Sequence, residues 1–193
     1  MEEEKTFDQE IPVKKFPLLR NLLQIVLYLG GILLVSFLLV TYVIQRTVVS
    51  GDSMNNYLHD GDNILVEKLS YRFGDVERFD IVVFEVPYEP KGTYYIKRVI
   101  GLPGETVQIV DSQIYINGQV LEENYGKDRI REGGIASQPI TLGPDEYFVM
   151  GDNRNNSTDS RSQRLGPVKK GTFIGKAWVR IFPFSGFGVL RHQ

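Results

Sequence analysis

A run of about 23 residues without a single charge, from Leu22 to Ile44, limits what this chain can fold into more than any other feature. A helix of that length rises about 1.5 Å per residue and crosses the roughly 30 Å hydrocarbon core of a bilayer with some tilt. One alternative is a buried helix, but such helices rarely lack charge for so long. Another is a cleavable signal peptide, whose apolar region is shorter, about 7–15 residues. We predict a transmembrane helix at residues 22–44.

Basic residues flank this run unequally. Arg46 stands alone on its C-terminal side, whereas three basic residues precede it: Lys14, Lys15 and Arg20. Because cytoplasmic flanks carry the excess of lysine and arginine, the asymmetry predicts a cytoplasmic tail at residues 1–21 and an extracytoplasmic location for residues 47–193. The first dozen residues are expected to be disordered. The expected protein therefore crosses the cell membrane once.

The sequence pattern changes after the apolar run. Short segments rich in Val, Ile, Tyr and Phe alternate with Gly, Pro, Asp and Asn, and no 3.6-residue period is sustained. Such punctuation is typical of strands, so residues 47–193 are predicted to form one all-β domain. The predicted strands lie in TVVSG, NILVEKL, DIVVFEV, YYIKRVI, TVQIV, QIYI, EYFVM and KAWVRIF.

Several connections between these strands have distinctive sequences. Asn117-Gly118 predicts a type I′ hairpin turn, and Pro144-Asp145 predicts a type I turn before a strand. The stretch Glu122 to Gln138 is charged and contains glycine, which predicts a long mobile loop. Residues 181–190 read IFPFSGFGVL, which indicates a last strand with a packed tail or, alternatively, an apolar edge in the membrane interface.

Charge and residue counts exclude several kinds of protein. The net charge of −2 gives no sign of nucleic-acid binding, and the absence of cysteine excludes disulfides, thiolate metal sites and a cysteine nucleophile. The two histidines are His59, in a predicted turn, and His192, near the chain end. A Ser-His-Asp triad would depend on one of them, so a serine enzyme here needs another base. No metal or other cofactor is expected.

Ser53 and Lys97 are the candidate nucleophile and base. Ser53 follows Gly-Asp in SGDSM, which suits a turn that leaves the hydroxyl accessible, although most serines near glycine simply occupy turns. Lys97 lies among apolar residues in YYIKRVI, where lost hydration lowers the pKa of the amine. Lowering that pKa from about 10.4 to about 8 requires roughly 3.3 kcal/mol, and we expect no carboxylate to contact the lysine. The alternative is a lysine whose stem packs while its amine reaches water.

Three segments together resemble those of the bacterial type I signal peptidases, or leader peptidases, in the form with one N-terminal membrane segment. They are SGDSM at residues 50–54, YIKRVIGLPGE at 95–105 and GDNRNNSTDSR at 151–161. A fourth match, at residues 61–85, is expected to supply strands beside the cleft. The agreement keeps the family's order and covers most of residues 47–185. The resemblance implies a mainly β, extracytoplasmic catalytic domain of the signal-peptidase type after one transmembrane helix.

In that family a Ser-Lys dyad carries the reaction, which implies catalytic roles for Ser53 and Lys97. The third segment implies that the Ser157 hydroxyl hydrogen-bonds and orients the lysine. Two supporting ion pairs are also implied, Asp159 with Arg161 and Asp152 with Arg98.

The resemblance also implies a substrate and a reaction. The expected enzyme is a membrane-bound serine endopeptidase that removes signal peptides from exported preproteins, cutting after a small residue through an acyl-enzyme. The substrate would add to the cleft as a β-strand, with small residues at positions −1 and −3. Met54 and Ile96, beside the dyad residues, are the predicted pocket walls. The expected partners are the preproteins, the lipid bilayer and the secretion translocon, and not nucleic acid.

Two positions depart from the family pattern. The family commonly continues Met-x-Pro-Thr-Leu after the nucleophile, whereas this chain has Met54-Asn55-Asn56-Tyr57-Leu58, so it lacks a conformational restraint that proline would supply. Some members carry a serine two residues before the nucleophile, and its hydroxyl donates a hydrogen bond to the oxyanion. Gly51 stands at that position. The Ser53 N–H is therefore expected to be the main donor, helped by Ser50 or Gly51.

Two other functions are compatible with parts of the sequence. A peptidase-like assembly factor would bind surface-protein precursors without cutting them, and the Asn56-Tyr57 departure is its only support. A self-cleaving repressor would share the Ser-Lys dyad, but the membrane segment and the absence of a DNA-binding helical domain disfavour it. Cleavage of preproteins is the preferred hypothesis.

Overall fold

The computed structural model describes residues 17–190, so His192 and the predicted tail at residues 1–16 lie outside the described part. The chain divides into two compact units, the first ending at Leu39 and the second beginning at Val40. The described part of the first unit, from residue 17 onward, is helical, and the second unit contains the predicted strands.

Helix α1 spans Pro17–Leu38, and one π-helical turn, Leu39–Val43, follows it. Within this run Leu18–Val43 has a mean hydropathy of 2.5 and its apolar window is not buried, so its length and composition suit a membrane crossing. The helix begins earlier than the predicted residue 22, so that the charged Arg20 lies within it. Ile44, predicted as the last membrane residue, is instead the first residue of a strand.

The second unit is mainly β, as predicted. Within residues 17–190 its strands are β1 (Ile44–Val48), β2 (Asn63–Glu67), β3 (Ile81–Glu85), β4 (Tyr94–Gly101), β5 (Thr106–Val110), β6 (Gln113–Ile116), β7 (Gln119–Val120), β8 (Ile140–Thr141), β9 (Glu146–Met150), β10 (Val168–Lys169), β11 (Phe173–Phe182) and β12 (Gly188–Val189). One short helix, α2 (Ser70–Phe73), follows β2. The Val-, Ile- and Phe-rich runs form the longer strands because such side chains pack well on a pleated surface.

The larger sheet has the order β1-β2-β11-β3-β4-β9-β10, with β12 also paired to β11. Strand β4 lies between β3 and β9 and pairs antiparallel with both, so its backbone is fixed on two sides. In this register Lys97 lies opposite Val82, and Arg98 lies opposite Ile81 and Met150. The base candidate is therefore carried by an interior strand, which limits its backbone motion.

The smaller sheet has the order β7-β6-β5-β8. Its β6–β7 hairpin turns at Asn117 and Gly118, whose φ values of 53° and 79° are both positive, as the predicted turn requires. The predicted turn at Pro144-Asp145 also forms. It is closed by a hydrogen bond of 3.3 Å from the Glu146 N–H to the Gly143 carbonyl, just before β9.

Buried side chains anchor the loop between β1 and β2, which carries Ser53. Val49, Met54 and Leu58 are at most 3% exposed and belong to a core cluster that also contains Ile96 of β4. Burying a side chain of this size contributes roughly 1.5–3 kcal/mol. The loop is therefore pinned on both sides of Ser53, and its hydroxyl is held next to β4.

The stretch Glu122 to Gln138, predicted to be a mobile loop, is packed against the domain. Tyr125, Ile130 and Ala136 are buried, and residues Gly134–Ser137 form one 3₁₀ turn. These apolar side chains are isolated in a charged sequence and show no strand or helix period, so their burial could not be predicted from the sequence pattern.

The C-terminal run forms a last strand with a packed tail. Strand β11 ends at Phe182, β12 pairs back onto it, and Leu190 is buried. Phe184 and Phe187 remain exposed.

Candidate active site

The Ser53 turn is closed by main-chain hydrogen bonds. The Val49 N–H donates to the Asp62 carbonyl at 2.8 Å, and the Gly61 N–H donates to the Val49 carbonyl at 2.9 Å. Inside the turn, the Leu58 N–H donates to the Met54 carbonyl at 2.9 Å. The turn is thus a compact loop with Ser53 half-buried on it.

The segment after β9 holds the same turn from the other side. The Asn153 N–H donates to the Ser53 carbonyl at 3.0 Å, and the Asn153 side-chain amide donates to the Asp52 carbonyl at 3.1 Å. Asn153 was not singled out from the sequence, although it lies in the GDN motif. Its two bonds fix the backbone of the nucleophile candidate.

Lys97 approaches Ser53 from strand β4. The Lys97 Nζ lies 2.7 Å from the Ser53 Oγ and 3.0 Å from the Ile96 carbonyl oxygen. The lysine is only 4% exposed. The structure therefore brings together the two residues that the sequence proposed as nucleophile and base, 44 positions apart in the chain.

Burial lowers the pKa of Lys97 to about 8, because an ammonium loses hydration inside the protein. The negative charges of Asp159 and Asp152 act in the opposite direction but are outweighed. Neither carboxylate forms an ion pair with Lys97 among the residues that the structure describes. About one-tenth of such an amine is neutral at pH 7, enough to act as a base.

The Ser157 hydroxyl lies in the same cleft but does not make the expected bond. It is buried and has no hydrogen-bond partner within residues 17–190. The bond to Lys97 implied by the family resemblance is therefore not formed in this structure, and the orienting role of Ser157 stays a prediction. The Lys97 amine contacts the Ser53 hydroxyl and the Ile96 carbonyl oxygen instead.

Gly151 allows these hydroxyl-bearing segments to meet. A Cβ at this position would overlap the Ser157 hydroxyl and the Ser53 carbonyl oxygen, so only glycine fits. The sequence signal was the glycine of GDN, which was considered only as part of the motif.

Both ion pairs implied by the resemblance are present. Arg98 and Asp152 are fully buried and joined by two hydrogen bonds, of 2.9 and 2.7 Å. Asp159 receives two bonds of 2.8 Å from the Arg161 guanidinium, and its carboxylate also accepts the Gly151 N–H at 3.1 Å. Such bidentate pairs fix the orientation of the backbone segments to which the two side chains belong.

A third buried arginine was missed from the sequence. Arg154 is 2% exposed and its guanidinium binds both carboxylate oxygens of Glu123, one at 2.9 Å. This pair ties the 122–138 stretch to the segment after β9. The only signal was the arginine of GDNR, whose partner cannot be read from spacing.

An open cleft of about 460 Å³ runs past Ser53 and Lys97. Its walls come from the end of β1 and the start of β4. The predicted pocket residues Met54 and Ile96 both line it, although Met54 is 1% and Ile96 9% exposed, so each offers little surface. The arrangement can receive an extended peptide beside the Ser53 hydroxyl.

Of the two residues predicted to help bind the oxyanion, Gly51 is already engaged, while the role of Ser50 stays a prediction. The Gly51 N–H already donates to the Asp60 carboxylate at 2.8 Å, and the Gly51 φ of +84° favours glycine. Gly51 is thus committed to holding the loop, which leaves the Ser53 N–H as the predicted main donor.

A histidine base has no support from this geometry. His59 lies in the loop after Ser53, but it lines a separate depression with Arg180 rather than the cleft that holds the hydroxyl. His192 is outside the described residues.

Comparison with known proteins identifies the family. The profile of the family described as signal peptidase, peptidase S26, matches residues 22–182. The chain belongs to this family. It is a protease with signal peptidase function, and the segments from which the resemblance was inferred all lie inside the matched range.

Individual relatives agree with the family match. Signal peptidase I of Leptolyngbya laminosa is 41% identical over 162 residues, covering 78% of this chain and 74% of the relative. Signal peptidase I P of Bacillus subtilis subsp. natto is 36% identical and covers 79% of this chain and 85% of the relative. A crystal structure of a signal peptidase I from Enterococcus faecalis V583 is 37% identical, covers 53% of this chain and 96% of that chain, and has a TM-score of 0.45.

Proposed function

We propose that Ser53 and Lys97 form the catalytic dyad of a membrane-bound serine endopeptidase that removes signal peptides from exported preproteins. The observation that carries the proposal is the 2.7 Å contact between the Lys97 Nζ and the Ser53 Oγ. A buried amine with a pKa of about 8 at that distance supports the role of base.

The reaction follows from this pair. Neutral Lys97 accepts the Ser53 proton while the Ser53 Oγ attacks the carbonyl carbon of the small residue that ends the signal peptide. The C–N bond then breaks, and the Lys97 ammonium returns the proton to the departing amine of the mature protein. Water, deprotonated by Lys97, hydrolyses the ester and frees the signal peptide and Ser53.

The supporting residues act on geometry and charge. The Arg98–Asp152 pair orients β4 next to Lys97, and the Asp159–Arg161 pair orients the segment that holds Ser157. Ser157 borders the cleft with its hydroxyl buried, which is compatible with binding the lysine during the reaction. Met54 and Ile96 would contact the small residues of the substrate.

The membrane part of the proposal is supported by the apolar span and its flanking charges. We infer one crossing by Leu18–Val43 with a cytoplasmic N-terminus and an extracytoplasmic catalytic domain. Ser53 lies ten positions after Val43, the end of that span, and a chain of that length extends to at most about 35 Å. The hydroxyl would therefore work near the bilayer surface, where a membrane-held preprotein, delivered by the translocon, presents its cleavage site.

The test is cleavage of a purified preprotein with a small-x-small site by the full-length protein in detergent. Ser53→Ala and Lys97→Ala run beside the wild type, and mass spectrometry reads the N-terminus of the product. We expect cleavage after the small residue, lost in both variants and in Lys97→Arg, whose guanidinium does not deprotonate. Wild-type-like cleavage by Lys97→Arg would refute the role of base, and binding without cleavage by the wild type would favour the assembly-factor alternative.

A further inference from the structure

The departure from the family sequence after Ser53 has a structural counterpart in the 122–138 stretch. The side-chain amide of Asn56, at the position where the family commonly has proline, donates to the Tyr125 carbonyl at 3.0 Å. The two residues are 69 positions apart, so this bond joins the nucleophile turn to a distant segment. Proline has no side-chain donor, and this bond therefore depends on the substitution.

The next residue contributes a second contact to the same place. The ring centroids of Tyr57 and Tyr125 lie 5.2 and 3.8 Å from the guanidinium carbon of Arg98. A guanidinium within about 6 Å of an aromatic face is attracted by the ring quadrupole, more strongly when water is excluded. Arg98 is fully buried and Tyr125 is 5% exposed, so water is largely excluded here.

These contacts meet at the strand that carries the base. Arg98 follows Lys97 directly, and its guanidinium is bound by Asp152. The 122–138 stretch reaches that pair as well, since the Lys127 N–H donates to the Asp152 carbonyl at 2.9 Å. The nucleophile turn, the base strand and the 122–138 stretch are therefore joined around one buried arginine.

We propose that Asn56, Tyr57 and Tyr125 are positioning residues that hold Ser53 against Lys97 through the bond to the Tyr125 carbonyl and the ring contacts with Arg98. We call these three residues the Asn56–Tyr125 clamp. None of the three lines the cleft that holds the Ser53 hydroxyl and the Lys97 amine, so they act through the turn and Arg98. The inference rests on the proposed dyad and adds residues that set its geometry.

If the clamp acts as proposed, replacing Asn56 with proline, the residue common in the family, should lower the activity of the enzyme. Asn56 has a φ of 158°, whereas a proline ring holds φ near −65°. Asn56→Pro would therefore lose the bond to Tyr125 and also distort the turn three residues after Ser53. A family-derived substitution is expected to lower activity rather than raise it.

The test compares kcat and KM for preprotein cleavage by full-length variants in detergent, each shown to be folded by circular dichroism. Asn56→Ala is expected to lower kcat about fivefold, the equivalent of one hydrogen bond, with KM within about twofold. Tyr125→Leu is expected to lower kcat by about five- to thirtyfold, and Tyr125→Phe, which keeps the ring on Arg98, to restore most of it.

Ser112→Ala is the matched control. The Ser112 hydroxyl donates to the Ile130 carbonyl at 2.8 Å, so it ties the same 122–138 stretch to the domain without touching the nucleophile turn. This variant should keep the wild-type kcat. An equal loss in Ser112→Ala and Asn56→Ala would show general loosening of the stretch and overturn the clamp, as would Asn56→Pro with wild-type activity or a loss confined to KM.

Hydrogen exchange separates failure of the clamp from failure of the proposed function. Deuterium uptake by peptides covering residues 51–60 should be faster in Asn56→Ala than in the wild type and unchanged in Ser112→Ala. This readout does not need cleavage, so it stands even if Ser53→Ala proves as active as the wild type. Uptake that is the same in all three proteins would overturn the clamp.

Discussion

Raising the pH from 7 to 9 should increase kcat/KM for preprotein cleavage by about tenfold. The buried Lys97 has a pKa of about 8, far below the ordinary value of 10.5, and the neutral amine is the active base. Its neutral fraction rises from about one-tenth at pH 7 to about nine-tenths at pH 9. Activity should therefore climb about tenfold per unit below pH 7 and level off above pH 9.

The assay is the initial rate of cleavage at low substrate by the full-length protein in detergent, in buffers from about pH 6 to about pH 10. Under these conditions the profile reports ionisations of the free enzyme. A rise centred near 10.5 would refute the desolvation of Lys97 in the working enzyme. A rise centred near 6.5 would indicate a histidine base and would refute the role of Lys97 as the base.

The lowered pKa of Lys97 also predicts how the stability of the fold changes with pH, and this prediction can be tested without measuring cleavage. Between pH 8 and 10.5 the unfolded chain holds a proton on Lys97 that the folded protein has released, so the stability of the fold increases as pH rises. Relative to Lys97→Met, which has no such group, the wild type should gain about 1.4 kcal/mol of unfolding free energy from pH 7 to pH 9. Chemical unfolding of both proteins at the two pH values measures the difference, and equal pH dependence would contradict the argument.

Three further substitutions test the surroundings of the dyad. Gly151→Ala places a methyl group against the Ser53 carbonyl oxygen and should destabilise the fold by about 1–3 kcal/mol and lower kcat, measured by thermal unfolding and cleavage rate. Asp152→Asn leaves the buried Arg98 guanidinium without its counter-charge and should cost about 3–5 kcal/mol in chemical unfolding; a loss below 1 kcal/mol would mean that the pair is not buried in solution. Gly51→Ser, which supplies the side-chain donor that some family members use, should fail to raise kcat because a φ of +84° strains a non-glycine residue by about 1–3 kcal/mol; higher activity would show that the loop adapts.

Much of the larger sheet could be predicted because its strands have a strong local signal. Runs such as DIVVFEV and YYIKRVI became β3 and β4 with nearly the expected limits. Strand β1 begins earlier than expected because the backbone of Ile44 pairs with Glu67 of β2. This long-range pairing is hidden in the sequence, where Ile44 continues the apolar run before it. Strand β7 follows from the predicted Asn117-Gly118 hairpin turn, whereas the two-residue strands β8, β10 and β12 were not predicted, since two residues are too short for alternation to be visible.

The candidate site was likewise predictable only in part. The Ser53–Lys97 contact was predicted because a motif resemblance supplied what spacing alone does not, namely which distant segments meet. The expected Ser157–Lys97 bond is not formed, and the lysine amine contacts Ser53 and its own neighbour Ile96. The Tyr125 packing and the Asn56 bond depend on where a long, charged stretch folds back, and no local pattern encodes that.

Trapping the acyl-enzyme shows which residue attacks the preprotein. The full-length protein in detergent is mixed with excess preprotein, quenched in acid within one turnover, digested, and analysed by mass spectrometry. If Ser53 is the nucleophile and Lys97 its base, the peptide containing Ser53 carries the carboxyl-terminal fragment of the signal peptide as an ester, and Lys97→Ala yields none. Continued cleavage by Ser53→Ala, or an ester on any other residue, would refute the dyad.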